Sequence, residues 1–179
     1  MASASPPAIP HQPTPDQAAE DLLAYAIDRQ DIKWCLARLP SDNPSRKALV
    51  DSELQMLKII GVGWGLNLLL ARSPFKDELQ NAYWKEVQNF SGRLSETTAL
   101  LIGQRIDYFQ TLKDRLDLYL AAMTDAGPAG TDPGRILGAA FTRLCGCSGD
   151  LPVLMAAART FTSAMARVGE YLTAIGYAR

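Results

Sequence analysis

Histidine is almost missing from this chain of 179 residues, which contains only His11. Histidine is the usual acid–base group at neutral pH and the commonest metal ligand. A di-iron bundle, a phosphorelay bundle and a Ser-His-Asp or Cys-His nucleophile each need a histidine within the fold. We therefore predict no catalytic residue, no metal ligand and no cofactor, and we expect that the protein is not an enzyme.

Basic runs and long apolar runs are both missing. The chain has 18 Lys and Arg against 19 Asp and Glu, so its formal net charge is −1, whereas proteins that bind nucleic acid usually carry a basic patch. The longest apolar stretch, residues 59–71, is interrupted by three glycines and Asn67. It falls short of the roughly 20 apolar residues of a membrane-spanning helix. We expect no nucleic-acid partner and no transmembrane span.

Cysteine is scarce as well, because Cys35, Cys145 and Cys147 are the only three in the chain. A chain long enough to bury a core does not need disulfide staples, and an odd set of three argues against a disulfide scaffold. Residues 1–15 lack the basic and apolar regions of a secretory signal peptide. These features favour a reducing, cytoplasmic compartment.

Helical periodicity is what the sequence does contain. Apolar residues recur every three or four positions along the chain, which is typical of helices with one buried face. Residues 79–123 follow this pattern, and we assign Leu101 and Ile102 to its buried face. No segment alternates with period two. Proline directly follows four of the candidate N-caps, and an Asp precedes each of the last two predicted helices. The candidate N-caps are Thr14, Asn43, Ser73, Asp132 and Asp150. Gln17 completes a capping box with Thr14.

These signals predict an all-α fold, an antiparallel bundle of about five helices with one long central helix. Residues 1–13 are expected to form a disordered Pro-rich tail, and residues 14–179 a single domain. The predicted helices span about 15–39, 44–72, 74–124, 133–144 and 151–175, with a loop at 125–134. The third could bend or break at Gly92 or Gly103, because glycine weakens a helix interior by about 1 kcal/mol relative to alanine.

Three glycines in residues 57–65 give the chain a passing likeness to a phosphate-binding loop. The dinucleotide-binding fingerprint fails, because Leu66 occupies the position of its third glycine and no further strands follow. On a helix, Gly61 and Gly65 lie one turn apart, where they would let a second helix approach closely. We expect Trp64 to be a core residue beside that contact.

Two other groups of residues could carry chemistry. Acidic residues of the predicted long helix could gather around Mg²⁺, but Lys and Arg lie among them at spacings suited to ion pairs, which favours a solvated face. The acidic residues concerned are Glu86, Glu96, Asp107, Asp114 and Asp117.

Cys145 and Cys147 could pair or bind a metal, but two thiols alone cannot complete a tetrahedral zinc site within one chain, so we favour small buried residues in a tight turn.

The C-terminal half of the chain resembles a known family. Residues 109–120 read FQTLKDRLDLYL, residues 147–154 read CSGDLPVL, and the segment that follows carries Phe161, Met165 and Tyr171. In this order they resemble phasins, the helical proteins that coat bacterial polyhydroxyalkanoate granules. The segments that contain Trp34 and Trp64 have no counterpart in that resemblance. It implies a bacterial, non-enzymatic protein that lies on an apolar surface.

The leading interpretation is a non-enzymatic interaction or structural protein that coats or binds an apolar surface or a protein partner. The last segment is rich in alanine and poor in charge, so we also expect a homodimer. One alternative is a bundle that holds a small apolar ligand near Trp34, Trp64 and Trp84. Others are a regulatory or accessory subunit of a larger complex and, third in order, an enzyme that uses only carboxylates.

Overall fold

The computed structural model describes residues 12–39, 43–127 and 132–178, which form seven helices and no strand. The all-α prediction is confirmed, with more helices than the five expected. His11 and most of the predicted Pro-rich tail lie outside the described residues. The helices are α1 (Pro15–Ile27), α2 (Gln30–Leu36), α3 (Pro44–Leu69), α4 (Lys76–Ile102), α5 (Tyr108–Ala126), α6 (Pro133–Leu144) and α7 (Leu151–Ala174).

Side-chain caps begin most of the helices where the sequence predicts them. Thr14 Oγ1 accepts a hydrogen bond from Gln17 N at 3.3 Å, and Gln17 Oε1 accepts one from Thr14 N at 3.0 Å, which completes the predicted capping box. The side chains of Asn43, Asp132 and Asp150 accept hydrogen bonds from backbone N–H groups in the first turns of α3, α6 and α7. Local chemistry therefore fixes these helix starts.

The predicted cap at Ser73 is wrong, because α4 begins at Lys76 with Phe75 as its N-cap. Ser73 Oγ donates instead to the backbone oxygen of Tyr177 at 2.9 Å and accepts from Phe75 N. The Tyr177 ring stacks on Phe75 with 4.2 Å between ring centroids, and its hydroxyl donates to the Pro13 oxygen at 2.6 Å. The turn between α3 and α4 thus anchors both ends of the described chain.

The first predicted helix, residues 15–39, is two helices with a corner at Asp28. Asp28 Oδ1 accepts a hydrogen bond from Gln30 N at 3.1 Å, a local bond that competes with continued helix. The Asp28 carbonyl, freed by the corner, accepts a hydrogen bond from Lys58 Nζ at 2.8 Å. A side chain of α3 therefore satisfies a backbone group that α1 leaves unpaired.

The predicted long central helix is also wrong, because the chain reverses direction between α4 and α5. Gly103 ends α4 in the left-handed conformation, with φ at 69°, which glycine adopts without steric cost. Asp107 then caps α5 by accepting a hydrogen bond from Gln110 N at 2.9 Å. Gly92, the other position named as a weak point, stays inside α4.

Helix α3 lies in the middle of the bundle and contacts α1, α2, α4, α5 and α7. Seven consecutive residues, 57–63, are buried, so α3 is covered on all sides there. A Cβ atom at Gly61 would lie 3.1 Å from Ala164 Cβ, and one at Gly65 would lie 3.2 Å from Val168 Cβ. The close approach of a second helix predicted at these glycines is confirmed, and the second helix is α7.

Candidate functional site

The hairpin of α4 and α5 is closed by hydrogen bonds one turn before α4 ends. Buried positions on α4 run from Leu79 to Ser95 and stop there. Ser95 Oγ accepts a hydrogen bond from Tyr108 N at 3.4 Å, and the Tyr108 hydroxyl lies 3.2 Å from Thr98 Oγ1. The last turn of α4 extends past this closure and contains no buried residue.

That last turn carries three consecutive large apolar side chains in water. Leu100 is 87% exposed, Leu101 78% and Ile102 60%, and Ile106 in the following loop is also exposed. We call these four residues the apolar tip. Successive helix residues point about 100° apart, so the first three side chains spread over more than half of the helix circumference. Exposed apolar groups are common at protein–protein and membrane interaction sites.

The tryptophans predicted to share one ligand site line two different clefts. Trp64 and Trp84 line a cleft of about 220 Å³, whereas Trp34 lines another of about 470 Å³. Trp64 meets Phe161 edge to face, and Trp84 covers Gly63, where an added Cβ would lie 2.4 Å from the indole ring. The structure thus brings Trp64 and Trp84 together as packed side chains.

Trp34 has a different environment, because its ring is 43% exposed and two cations lie on it. The Arg38 guanidinium carbon is 3.4 Å from the ring centroid and that of Arg159 is 4.4 Å from it. Both distances are within the range of cation–π attraction. Trp34 is therefore the one predicted binding residue that the fold leaves open to solvent and surrounds with charge.

A buried ion pair joins α3 to α5. The Glu53 carboxylate accepts three hydrogen bonds of 2.8–3.1 Å from Arg115 Nε and Nη2. Glu53 is buried, and the Tyr119 hydroxyl lies buried without a hydrogen-bond partner among the described residues. Burial raises the pKa of Tyr119, and the negative charge of Glu53 raises it further. The arrangement holds a neutral phenol and a satisfied ion pair, which is a structural contact rather than a catalytic one.

The three thiols are buried and free of disulfide bonds. Burial raises the pKa of Cys145 to about 12, with the neighbouring Cys147 adding to the effect. Burial also raises the pKa of Cys35 and of Cys147. Because the thiolate is both the nucleophile and the metal ligand, these groups are poorly suited to either role at neutral pH.

The acidic residues of α4 and α5 have separate local roles. Glu86 accepts a hydrogen bond from Asn89, and Asp114 accepts one from Gln110. Arg115, expected to pair within its own neighbourhood, reaches Glu53 of α3 instead. Over the described ranges, no group of three or more His, Cys, Asp or Glu residues is placed to hold a metal ion.

Sequence reasoning missed the apolar tip because it assigned Leu101 and Ile102 to the buried stripe. Three adjacent apolar residues directly before Gly103 depart from the three-or-four spacing of a one-faced helix, and this departure was the available signal. The buried charges of Glu53 and Lys58 give no signal at all, because Glu and Lys on a helix normally face water.

Comparison with known protein families, curated proteins and solved structures finds no match to this chain. Among the described helices, none combines the length and apolar character needed to cross a membrane.

Proposed function

We propose that this protein is a non-enzymatic helical-bundle interaction protein that binds an apolar surface through its apolar tip. The observation that carries this proposal is the exposure of Leu100, Leu101 and Ile102 on a helical turn that projects beyond the closure of its hairpin. Complete burial of a leucine or isoleucine side chain contributes about 1.5–3 kcal/mol. Three such residues provide enough free energy for reversible attachment.

The distribution of these side chains around the helix favours an apolar phase over a flat protein interface. A helix that packs on a flat partner buries one face, with apolar residues three or four positions apart. Residues 100, 101 and 102 are adjacent and point in three directions, so all three are removed from water together only when the helix end enters an apolar medium. One helical turn is about 5 Å long, which is the depth of shallow interfacial insertion.

Two apolar surfaces share this chemistry, a lipid bilayer and the polyester of a storage granule. The phasin resemblance of the C-terminal half supports the second. The test is co-sedimentation with polyhydroxybutyrate particles and, separately, with vesicles of zwitterionic phospholipid. The variant Leu100→Ser, Leu101→Ser, Ile102→Ser is compared with the wild-type protein on both materials.

A matched control removes exposed apolar residues from another part of the bundle. Leu151 and Met155 at the start of α7 are 62% and 59% exposed, and both are replaced by Ser. We expect the tip variant to lose binding while the α7 variant keeps it. Equal binding by the tip variant and the wild type on both materials would overturn the proposal, and binding to one material alone identifies the surface.

In this proposal, the predicted homodimer forms when the apolar tips of two copies contact each other. The dimer expectation rested on alanines of the last helix, and three of the five, Ala156, Ala157 and Ala164, are buried within the chain, whereas Ala158 is partly buried and Ala166 exposed. The tip contains the most exposed large apolar side chains of the described residues and is available to a second copy. Sedimentation velocity of the wild type and the tip variant separates the cases, because a dimer held by the tip becomes a monomer in the variant.

A small apolar ligand remains the second candidate, and one observation favours it. A cleft of about 270 Å³ lies at the base of the same hairpin and is lined by apolar side chains of α3, α4 and α5. Native mass spectrometry of the protein from its host should then find a bound molecule that organic solvent removes. The main apolar residues of this cleft are Met56, Ile59, Phe90, Leu94 and Leu112.

A further inference from the structure

The cleft beside Trp34 has the composition of a binding site for an anion. It lies between α2 and α7, has a volume of about 470 Å³, and is lined by Trp34, Arg159, Thr160 and Ser163, among others. Arg38 covers the Trp34 ring from the end of α2. The lining of the cleft therefore offers one guanidinium group, that of Arg159, and the hydroxyl groups of Thr160 and Ser163, with the Arg38 guanidinium nearby on the Trp34 ring.

The two arginines form an uncompensated pair of positive charges. Both guanidinium carbons lie within 4.4 Å of one ring centroid, so they are closer together than the Debye length of about 8 Å at physiological ionic strength. Neither arginine pairs with a carboxylate among the described residues. An anion at Arg159 would reduce the repulsion between the two guanidinium groups.

The acidic group on the cleft wall does not cancel this charge. Asp31 lines the cleft, but its Oδ1 accepts a hydrogen bond from Lys58 Nζ at 3.0 Å. Lys58 is buried and neutralises that carboxylate from the α3 side. Counting the charges of Asp31, Lys58, Arg38 and Arg159 leaves the cleft with an excess of positive charge.

Thr160 provides an independent indication of a ligand. Every other threonine within a described helix uses its hydroxyl in a hydrogen bond. Thr160 is only 5% exposed and lines the cleft, yet its hydroxyl has no hydrogen-bond partner in the described structure. Its oxygen is not sealed from solvent, in contrast to that of Tyr119. Thr160 thus presents an unused donor to the cleft.

We propose that this cleft binds a small oxyanion, a phosphate or phosphate monoester, at Arg159, with the charge of Arg38 nearby. Guanidinium groups donate paired hydrogen bonds to such oxygens, and Thr160 donates a third from the cleft wall. The site is separate from the apolar tip, and the two proposals stand or fall independently.

The test is titration of the full-length protein with inorganic phosphate and with phenyl phosphate, followed by calorimetry and by tryptophan fluorescence. We expect saturable binding of both ligands, with a fluorescence change that disappears in Trp34→Phe because Trp34 lines the cleft. Arg159→Gln should weaken binding by at least about tenfold, because it removes a charge-assisted hydrogen bond. Thr160→Val keeps the shape of the side chain and should weaken binding several-fold.

Arg167→Gln is the matched control, since Arg167 is an exposed arginine of the same helix that pairs with Glu170. It should bind phosphate as the wild type does, and so should the triple-Ser tip variant. The proposal is overturned if the wild type shows no saturable binding, or if Arg159→Gln and Thr160→Val both bind as the wild type does. Circular dichroism of each variant confirms that the fold is intact.

Discussion

Two apolar runs in this molecule have opposite environments. Residues 57–63 of α3 are buried in unbroken succession, whereas Leu100, Leu101 and Ile102 at the end of α4 are each more than half exposed. Five helices surround α3, and Gly61 and Gly65 let α7 approach it closely. The end of α4 lies beyond the contact of Tyr108 with Ser95, and no described residue covers it.

The difference shows that an apolar run around a helix has two stable environments. Either other helices of the same chain cover it, or it projects into solvent. Apolar content alone does not distinguish the two, because both runs interrupt the spacing of a one-faced helix. Glycines that admit a neighbour mark the first environment, and a left-handed glycine that ends the helix marks the second.

Removal of Arg115 should produce a large loss of stability and test how completely α3 is enclosed. Arg115→Met leaves the Glu53 carboxylate buried without its ion-pair partner, which costs about 3 kcal/mol or more. Chemical denaturation at neutral pH measures the loss. The exposed Arg167→Met should change the free energy of unfolding by less than about 0.5 kcal/mol, and equal losses in both variants would show that Glu53 is not enclosed.

The glycine seam between α3 and α7 should respond next. Gly61→Val places new methyl groups against Ala164 and Phe161, and overpacking of this kind costs about 1–3 kcal/mol. Gly92→Ala, on α4, meets open space and should stabilise the protein by up to about 1 kcal/mol through helix propensity. Thermal melting of both variants tests the opposite signs, and a stabilising Gly61→Val would mean that α7 does not contact α3 at this glycine.

Alkaline pH should destabilise the buried core, which contains the Cys145 thiol, whereas the apolar tip has no group that titrates. The pKa of Cys145 is raised by burial to about 12, so the folded state keeps the thiol neutral while the unfolded chain ionises it above about pH 9. This contribution to stability is complete below pH 9 and is lost as the pH rises toward 12. By pH 10 the loss is about 1 kcal/mol.

Cys145→Ala separates this effect from the titration of tyrosines. Its free energy of unfolding should fall less between pH 8 and pH 10 than that of the wild type, measured by urea denaturation at each pH. An unchanged slope would show that the Cys145 thiol ionises normally in the folded protein.

Substitution in the apolar tip should have the smallest effect on stability. Leu101→Ser removes a side chain that is already in water, so the free energy of unfolding should change by less than about 0.5 kcal/mol. Leu57→Ser, in the buried run, should be strongly destabilising because it leaves a cavity and an unpaired hydroxyl. A large decrease in the free energy of unfolding for Leu101→Ser, measured by urea denaturation, would show that Leu101 is buried as Leu57 is.

The sequence predicted the parts of the fold that are controlled locally. Thr14, Asn43 and Asp132 cap the residues directly after them, and their helices begin as predicted. The corner at Asp28 could not be predicted, because the residue that satisfies its carbonyl, Lys58, is 30 positions away. A partner so distant along the chain cannot be identified from the residues around Asp28.

The candidate sites were less predictable for the same reason. The three tryptophans could be named from the sequence, but their division between two clefts follows from how the helices pack. The two arginines at Trp34 come from different helices, α7 and the end of α2, and no spacing along the chain joins them.

The anchoring of Pro13 and Tyr177 at the turn between α3 and α4 has a consequence for local unfolding. Chain ends usually fray independently and exchange their amide hydrogens at little free-energy cost. Here the start of α1 and the end of α7 share one anchor, because Tyr177 binds Pro13 through its hydroxyl and Ser73 through its carbonyl. The two ends are expected to open together as one cooperative unit, with matching protection factors in native-state hydrogen exchange that fall together in Tyr177→Ala.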